Sequence, residues 1–282
     1  MSAASIASDL LLVNNRSNRH LPASVTGLIV DMALPASTAS LRAHASQFRR
    51  LLFPDLCLAC SAHVSRQGVV CPQCWGRLQF IEKPYCAVSG MPFAHDFGGD
   101  MTSAEVLASP PAYDVARAAT VHAGVAQTLV TRLKYGDRTD LAPWMAQWMA
   151  RAGAQLLAEC DIVVPVPLHP MRFWSRRYNQ SAELGRALCH QTGLLFAPEA
   201  LYRKKATKRQ VGLKAGQRHR NVQGAFMVPE EHKIAVAGRR VLLIDDVLTT
   251  GATVESAARA LRRAKPETIN VLTFSRVVPW MD

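Results

Sequence analysis

The stretch "VLLIDDVLTTGATVESAARALRRA" (241–264) changes its hydrophobic period within ten residues. Val241 to Ile244 form an unbroken apolar run, the pattern of a strand covered on both faces. From Ala252 onward Val254, Ala257, Ala258 and Leu261 share one face of a helix. The same alternation recurs along the chain: a strand at 161–166, a helix from Asn179 to His190, and a short strand near 194–197. A strand at 240–245, a helix at 252–264 and a strand at 268–274 follow. Upstream, "VARAATVHAG" reads as a strand, and Val125, Leu129 and Leu133 mark a helix stopping at "KYGD" with Gly136 as its cap. Leu141, Trp144, Met145 and Trp148 form a core-facing stripe. Strands separated by helices predict an α/β fold, a parallel sheet of the doubly wound kind flanked by helices. Ligands of such sheets bind at the carboxyl ends of the strands. No internal repeat is evident.

A chain of 282 residues with 49% hydrophobic side chains has room for one sizeable core and a smaller module. No apolar run approaches the roughly 18 residues of a membrane span. Residues 1–48, rich in Ser, Ala and Asn, are expected to be disordered, and lack the basic start and apolar core of a secretory signal. Four of the seven cysteines pair as Cys57-x2-Cys60 and Cys71-x2-Cys74, the spacing of a structural tetrahedral Zn²⁺ site. Reduced thiols at such spacing also place the chain in a reducing, cytoplasmic compartment. Cys86 reads as the remnant of a second knuckle, with Ser89 in the partner position, and Cys160 and Cys189 as buried thiols. The predicted division is a leader at 1–48, a zinc-binding module at 49–100, a linker at 101–114 around Pro110-Pro111, and the α/β domain at 115–282.

Asp245 and Asp246 end the apolar run, and the loop after them leads into a helix N-terminus. Free backbone N–H groups and the helix dipole there favour a phosphate. Thr249, Thr250 and Thr253 add hydroxyl donors, and Gly251 lets the backbone approach an anion. The two carboxylates repel phosphate but suit a sugar diol or a hydrated Mg²⁺. A ligand with a phosphate at one end and neighbouring hydroxyls at the other, a ribose 5-phosphate, meets both demands.

The formal charge is +12, and most of the excess lies between Arg172 and Arg220, where twelve Lys/Arg face only Glu183 and Glu199. Something anionic meets that segment. Residues 201–226 hold too little apolar content to pack and read as a mobile loop closing over the site. Alternatively, Arg176, Arg177, Lys204, Lys205, Lys208 and Arg209 neutralise nucleic-acid phosphates in a salt-dependent way. Tyr178 and Tyr202 are the nearest aromatics for stacking bases, too few for sequence-specific reading.

"VLLIDDVLTTGATV" resembles the phosphoribosyl pyrophosphate (PRPP) motif of type I phosphoribosyltransferases. With "LKYGDR" (133–138), "VVPVPLH" (163–169), "RRYNQS" (176–181) and "QVGLKAGQRHRNVQGAF" (210–226), the chain resembles the ComF family of phosphoribosyltransferase-like competence proteins over about residues 50–280. The resemblance implies a type I phosphoribosyltransferase-like sheet behind a small four-cysteine zinc module. It implies that Asp245 and Asp246 hold the ribose hydroxyls of PRPP and that Val247, Leu248, Thr249, Thr250, Gly251, Ala252 and Thr253 wrap its 5-phosphate. Mg²⁺ accompanies the diphosphate, Lys134 is a further candidate cation for it, and Asp245 or Asp246 stabilises an oxocarbenium-like transition state. The segment after "DIVV" corresponds to the pyrophosphate loop, but Pro165 and Pro167 have no N–H, leaving Val166, Leu168 and His169 as donors. The same family implies a second role, a DNA-uptake factor engaging single-stranded DNA or a helicase partner, with PRPP or a nucleotide as regulator.

Overall fold

The computed structural model of the protein describes residues 54–96, 98–168, 178–205 and 224–281, all within one compact unit, Phe53–Asp282. The expected leader at 1–48 lies outside the described residues, as do Arg176, Arg177, Lys208 and Arg209. Two short helices, α1 (Pro72–Trp75) and α2 (Ala104–Ala108), come first. They are followed by β1 (Val115–Val121), α3 (Gly124–Tyr135), α4 (Ala142–Ala152), α5 (Ala154–Glu159), β2 (Ile162–Pro165), α6 (Gln180–Thr192) and β3 (Leu195–Phe196). An antiparallel pair, β4 (Tyr202–Arg203) and β5 (Phe226–Met227), precedes α7 (Lys233–Val236), β6 (Arg240–Leu248), α8 (Ala252–Arg262) and β7 (Thr268–Arg276).

Five strands form one sheet in the order β1-β7-β6-β2-β3, every neighbouring pair parallel. Alternate residues supply two separate cores. Leu242, Ile244, Leu272, Phe274 and Val163 pack with α3, α4 and α6 on one face. Val241, Leu243, Ile269, Val271, Ile162 and Val164 pack with Val254, Ala257, Ala258 and Leu261 of α8 on the other. The period of two in the strands thus divides their side chains between two helical layers.

Strand β6 runs three residues further than the expected 240–245. Its ladder with β7 continues as Asp245 opposite Thr273, Val247 opposite Ser275 and Leu248 opposite Arg276. A paired neighbour satisfies the backbone whatever the side chain, so the acidic pair lies inside the strand and not beyond it. The helices begin and end where short-range chemistry directs: Asn179 Oδ1 accepts from Ser181 N at 3.1 Å to cap α6, and Gly193 ends that helix at φ 75°.

The cysteine-bearing segment shares its core with the sheet domain. Cys57, Leu58, Ala59, Cys71, Cys74 and Leu78 are buried in the same apolar cluster as Leu129, Leu133, Met145 and Phe274. Trp148 stands at the junction, with ring centroids 6.0 Å from Trp75, 5.7 Å from Phe80 and 5.9 Å from Phe274. The expected core stripe of α4 is therefore Leu141, Met145 and Met149, fully buried, with Trp144 and Trp148 at its margin against the cysteine segment. Arg132 on α3 donates to the Leu58 carbonyl at 3.0 Å.

The segment predicted as a linker is bonded along α8. Ala112 N donates to Glu255 Oε2 at 2.9 Å, Arg262 Nε donates to the Ala112 carbonyl at 3.0 Å, and Arg262 pairs with Asp114 at 2.6 Å. Its carboxyl-terminal end is a strap tied to α8 through Ala112 and Asp114, while residues 107–110 are exposed.

The structure also contains an internal repeat that the sequence does not display. Cys57 N donates to the Ala62 carbonyl, and Ser61 N, at φ 63°, donates back to the Cys57 carbonyl. Cys86 N donates to the Met91 carbonyl and Gly90 N, at φ 66°, donates back to Cys86 in the same frame. Bridges Leu56–His63 and Tyr85–Pro92 close the two turns alike. Cys71, directly before α1, donates from N to Cys57 Sγ at 3.2 Å; Ser103, directly before α2, donates from N to Cys86 Sγ at 3.3 Å. Two knuckle units are present, and in the second the four ligand positions hold Cys86, Ser89, Ser103 and Val106. The sequence marks the second unit only by Cys86 and Ser89, because the rest of the recurring element is backbone hydrogen bonding, which leaves little mark on residue identity.

Gly68 sits at φ 82°, and a Cβ there would fall 1.8 Å from Cζ2 of Trp144. Gly68→Ala is expected to destabilise the chain by about 2 kcal/mol, from backbone strain and overpacking. Denaturant unfolding that matches the parent would show that the cysteine segment docks some other way.

Candidate functional site

The acidic pair occupies the carboxyl-terminal part of the central strand, and three other elements converge on it. Lys134, near the end of α3, forms an ion pair with Asp246 Oδ1 at 2.9 Å. Ser181, in the first turn of α6, donates from Oγ to Asp245 Oδ1 at 2.8 Å, and the same oxygen accepts from Asp246 N at 3.0 Å. Asp246 is 9% exposed and Asp245 only partly exposed. Burial, with the neighbouring Asp246 charge added, pushes Asp245 up to about 7, against the opposing pull of Ser181, Lys134 and the Asp246 amide.

Thr249 and Thr250 follow the strand, and Gly251 starts α8 from φ 76° with open space where its Cβ would be. The glycine is required by this left-handed turn, which releases the first N–H groups of α8 toward solvent. Ala252 is buried, while Thr249, Gly251 and Thr253 are half-buried and Thr250 is exposed. A carboxylate pair and a helix N-terminus with hydroxyls thus lie within one short stretch of β6 and α8, and Lys134 of α3 brings a cation to them.

The pyrophosphate-loop position differs from expectation. Val166 N is taken by the Ile244 carbonyl at 2.9 Å, so it offers no donor to a ligand. The Val166 carbonyl accepts from Asn179 Nδ2 at 3.0 Å. His169 lies outside the described residues.

Three positioning residues escape a reading of the sequence by itself. Ser181 orients Asp245 from 64 residues away. Asn179 caps α6 while holding the loop after β2. Tyr178 donates from its hydroxyl to the Leu133 carbonyl at 2.5 Å and packs against the core, so it is no stacking platform for a base. All three lie in the quoted "RRYNQS" stretch, but their roles need partners that only folding supplies. Lys204 and Lys205 are exposed beside β4, and Tyr202 is 46% exposed.

The four cysteines Cys57, Cys60, Cys71 and Cys74 bring their sulfurs within 4.8 Å of one another, and Cys60 Sγ lies 3.6 Å from Cys71 Sγ. Tetrahedral zinc with Zn–S of about 2.3 Å requires sulfur edges of about 3.8 Å, so the cluster fits that ion. Among the described residues it is the one group of three or more metal-ligating side chains so arranged. Burial would raise the Cys86 thiol, but hydrogen bonds from Ser89 and Ser103 bring it down to about 7. Burial raises Cys160 to about 12 and Cys189 to about 11, which keeps both as inert thiols.

Residues 48–106 match the double zinc ribbon domain, and residues 190–276 match the phosphoribosyl transferase domain. The DNA utilization protein YhgH of Salmonella typhimurium is 29% identical over 229 residues, 79% of this chain and 91% of that protein. Competence protein F of Haemophilus influenzae is 27% identical over 230 residues, covering 78% and 96%. The chain is similar over most of its length to proteins named for competence and DNA utilization. An adenine phosphoribosyltransferase of Parvibaculum lavamentivorans is 42% identical over 96 residues, 34% of this chain and half of that enzyme. The chain is thus a phosphoribosyltransferase-like parallel sheet with a segment similar to a double zinc ribbon before it, and the first ribbon unit carries the ligands of one structural zinc. No helix among the described residues is long and apolar enough to cross a membrane.

Metal analysis of the purified chain is expected to return one zinc per molecule, since the second ribbon retains a single cysteine; two would refute the ligand assignment. Chelation should lower the melting temperature of the whole unit, because the zinc ribbon and the sheet share one core.

Asp245 supplies a pH prediction. Its folded pKa lies above the unfolded value of about 4, so its contribution to stability is complete below that pH and is lost as pH rises through about 7. Asp245→Asn, fixed neutral, should melt several degrees above the parent at pH 8 and level with it at pH 4. An equal gain at both would remove the burial argument.

Proposed function

We propose that the chain binds PRPP with Mg²⁺ at the carboxyl end of β6 and transfers its phosphoribosyl group to a nitrogen acceptor. The observation that carries this reading is the placement of Asp245 and Asp246, steadied by Ser181 and Lys134, directly before the Thr249-Thr250-Gly251 turn into α8. The 5-phosphate would accept from N–H groups in the first turn of α8 and from the hydroxyls of Thr249, Thr250 and Thr253. The ribose hydroxyls would donate to Asp245 and Asp246. Lys134 neutralises Asp246 in the free protein and stands where it would meet the diphosphate.

In the transfer, the bond from the sugar C1 to the pyrophosphate oxygen breaks, the electron pair leaves with pyrophosphate, and a C1–N bond forms as the nitrogen gives up its proton. Asp245 or Asp246 favours the positive charge that develops on the sugar, an electrostatic effect of roughly 3 to 4 kcal/mol for a well-placed group. Asp245 and Asp246 would hold Mg²⁺ brought with the diphosphate, and the ion would supply neutralisation of the leaving group.

A second reading rests on the names of the similar proteins, on the +12 charge and on exposed Lys204 and Lys205: a cytoplasmic DNA-uptake factor that holds single-stranded DNA or a helicase. Arg176, Arg177, Lys208 and Arg209, outside the described residues, would add positive charge to that reading. The two readings are separable by mutation.

Calorimetric titration of the zinc-loaded chain with PRPP and Mg²⁺ is expected to show saturable binding that Asp245→Asn with Asp246→Asn abolishes. Absence of binding in the folded parent would refute the phosphoribosyl reading. Neutralising Lys204, Lys205, Lys208 and Arg209 should spare that binding and weaken a single-stranded oligonucleotide, most at low salt.

A further inference from the structure

Arg276 ends β7 with 4% of its surface exposed. Its Nη1 donates to the Ser89 carbonyl at 2.5 Å, while its Nε has no hydrogen-bond partner. Glu105, Tyr113 and Cys86 act on it through space, yet no carboxylate among the described residues forms an ion pair with it. Burial pushes its pKa below the ordinary arginine value. A buried guanidinium without an anion is a costly arrangement, rare unless another group completes it.

Arg276 lines a cavity of about 540 Å³, within the usual range for small-molecule sites. The walls are largely apolar, with Met91, Val106, Pro110, Tyr113, Val277 and Pro279 among them. Ser89 and Val106 also line it, and both are vacated ligand positions of the second ribbon. Where the first ribbon is drawn together by its four cysteines, the second stands open against the α8 face of the sheet. One wall is the Leu248–Gly251 turn, but Asp245, Asp246, Lys134 and Ser181 take no part, so the cavity approaches that turn from the ribbon side. The other lining charges have counterparts or water: Glu255 pairs with Arg259 at 2.6 Å, and Glu105 is exposed at the rim.

We propose that this cavity is a second binding site, for a small organic anion whose carboxylate or phosphate pairs with Arg276 while an apolar or aromatic body fills the space beneath the 105–113 strap. Planar guanidinium matches both anionic groups, and the prolines and Tyr113 suit a flat apolar body. The loss of the second metal site and the buried arginine are then one feature, a ribbon rebuilt from a metal holder into a pocket wall.

The test is calorimetric titration of the full zinc-loaded chain with benzoate and with phenyl phosphate, using benzyl alcohol as the neutral counterpart. Saturable binding of either anion is expected, weakened at least about tenfold by Arg276→Gln and by Val106→Trp, and unchanged in the Asp245→Asn, Asp246→Asn variant. Val106→Trp fills the cavity with Arg276 intact, so the outcome does not depend on whether Arg276→Gln folds. Benzyl alcohol binding as tightly as benzoate would overturn the proposal, as would anion binding lost with the two aspartates or no binding at all. Loss of PRPP binding alone would count against the sugar-phosphate reading and leave this site standing.

Discussion

A strand in the middle of a parallel sheet must be covered on both faces, and β6 meets that demand with Val241 and Leu243 on one side and Leu242 and Ile244 on the other. Because β7 and β2 hold its two edges in register, the strand has no freedom to slip without moving every one of these side chains to the wrong core. The aspartates are therefore carried to a fixed place at its carboxyl end. Their desolvation is tolerated because the apolar ladder beneath them is complete, and Lys134 and Ser181 compensate what remains.

The zinc ribbon is part of that same arrangement. Its cysteines and Leu58 lie in one apolar cluster with α3 and α4, and Trp148 joins Trp75, Phe80 and Phe274 across the boundary. Arg132 and Lys134, in one helical turn of α3, face two tasks, the first binding the ribbon and the second the acidic pair. The ribbon and the acidic site are thereby both in contact with α3.

The duplicated knuckle shows how a metal site can change use. Backbone hydrogen bonds, left-handed turn residues and a following short helix are retained in the second unit, while three of four ligand positions are Ser89, Ser103 and Val106. The scaffold survives because most of its hydrogen bonds run between backbone groups, with that from Cys71 N to Cys57 Sγ ending on a metal-ligating atom. What stabilises it in place of zinc is contact with the sheet: Ala116 N donates to the Val88 carbonyl, Arg117 to that of Ala87 and Arg276 to that of Ser89.

The sequence by itself determined the α/β class, the zinc ligands and the strand–turn–helix around Asp245 and Asp246, since these depend on period, spacing and neighbours within a few residues. It also placed the ends of α3 and α6, where Gly136 and Asn179 act locally. Only the tertiary structure decided that Lys134 meets Asp246, that Ser181 holds Asp245, that Val166 spends its N–H on the sheet, and that Arg276 is buried beside a second ribbon. Those contacts join residues tens to nearly two hundred positions apart, and their pairing is set by strand order and by which face of a helix meets the sheet. Local pattern carries no record of that choice, because many side chains fit each position and the packing of the whole selects among them.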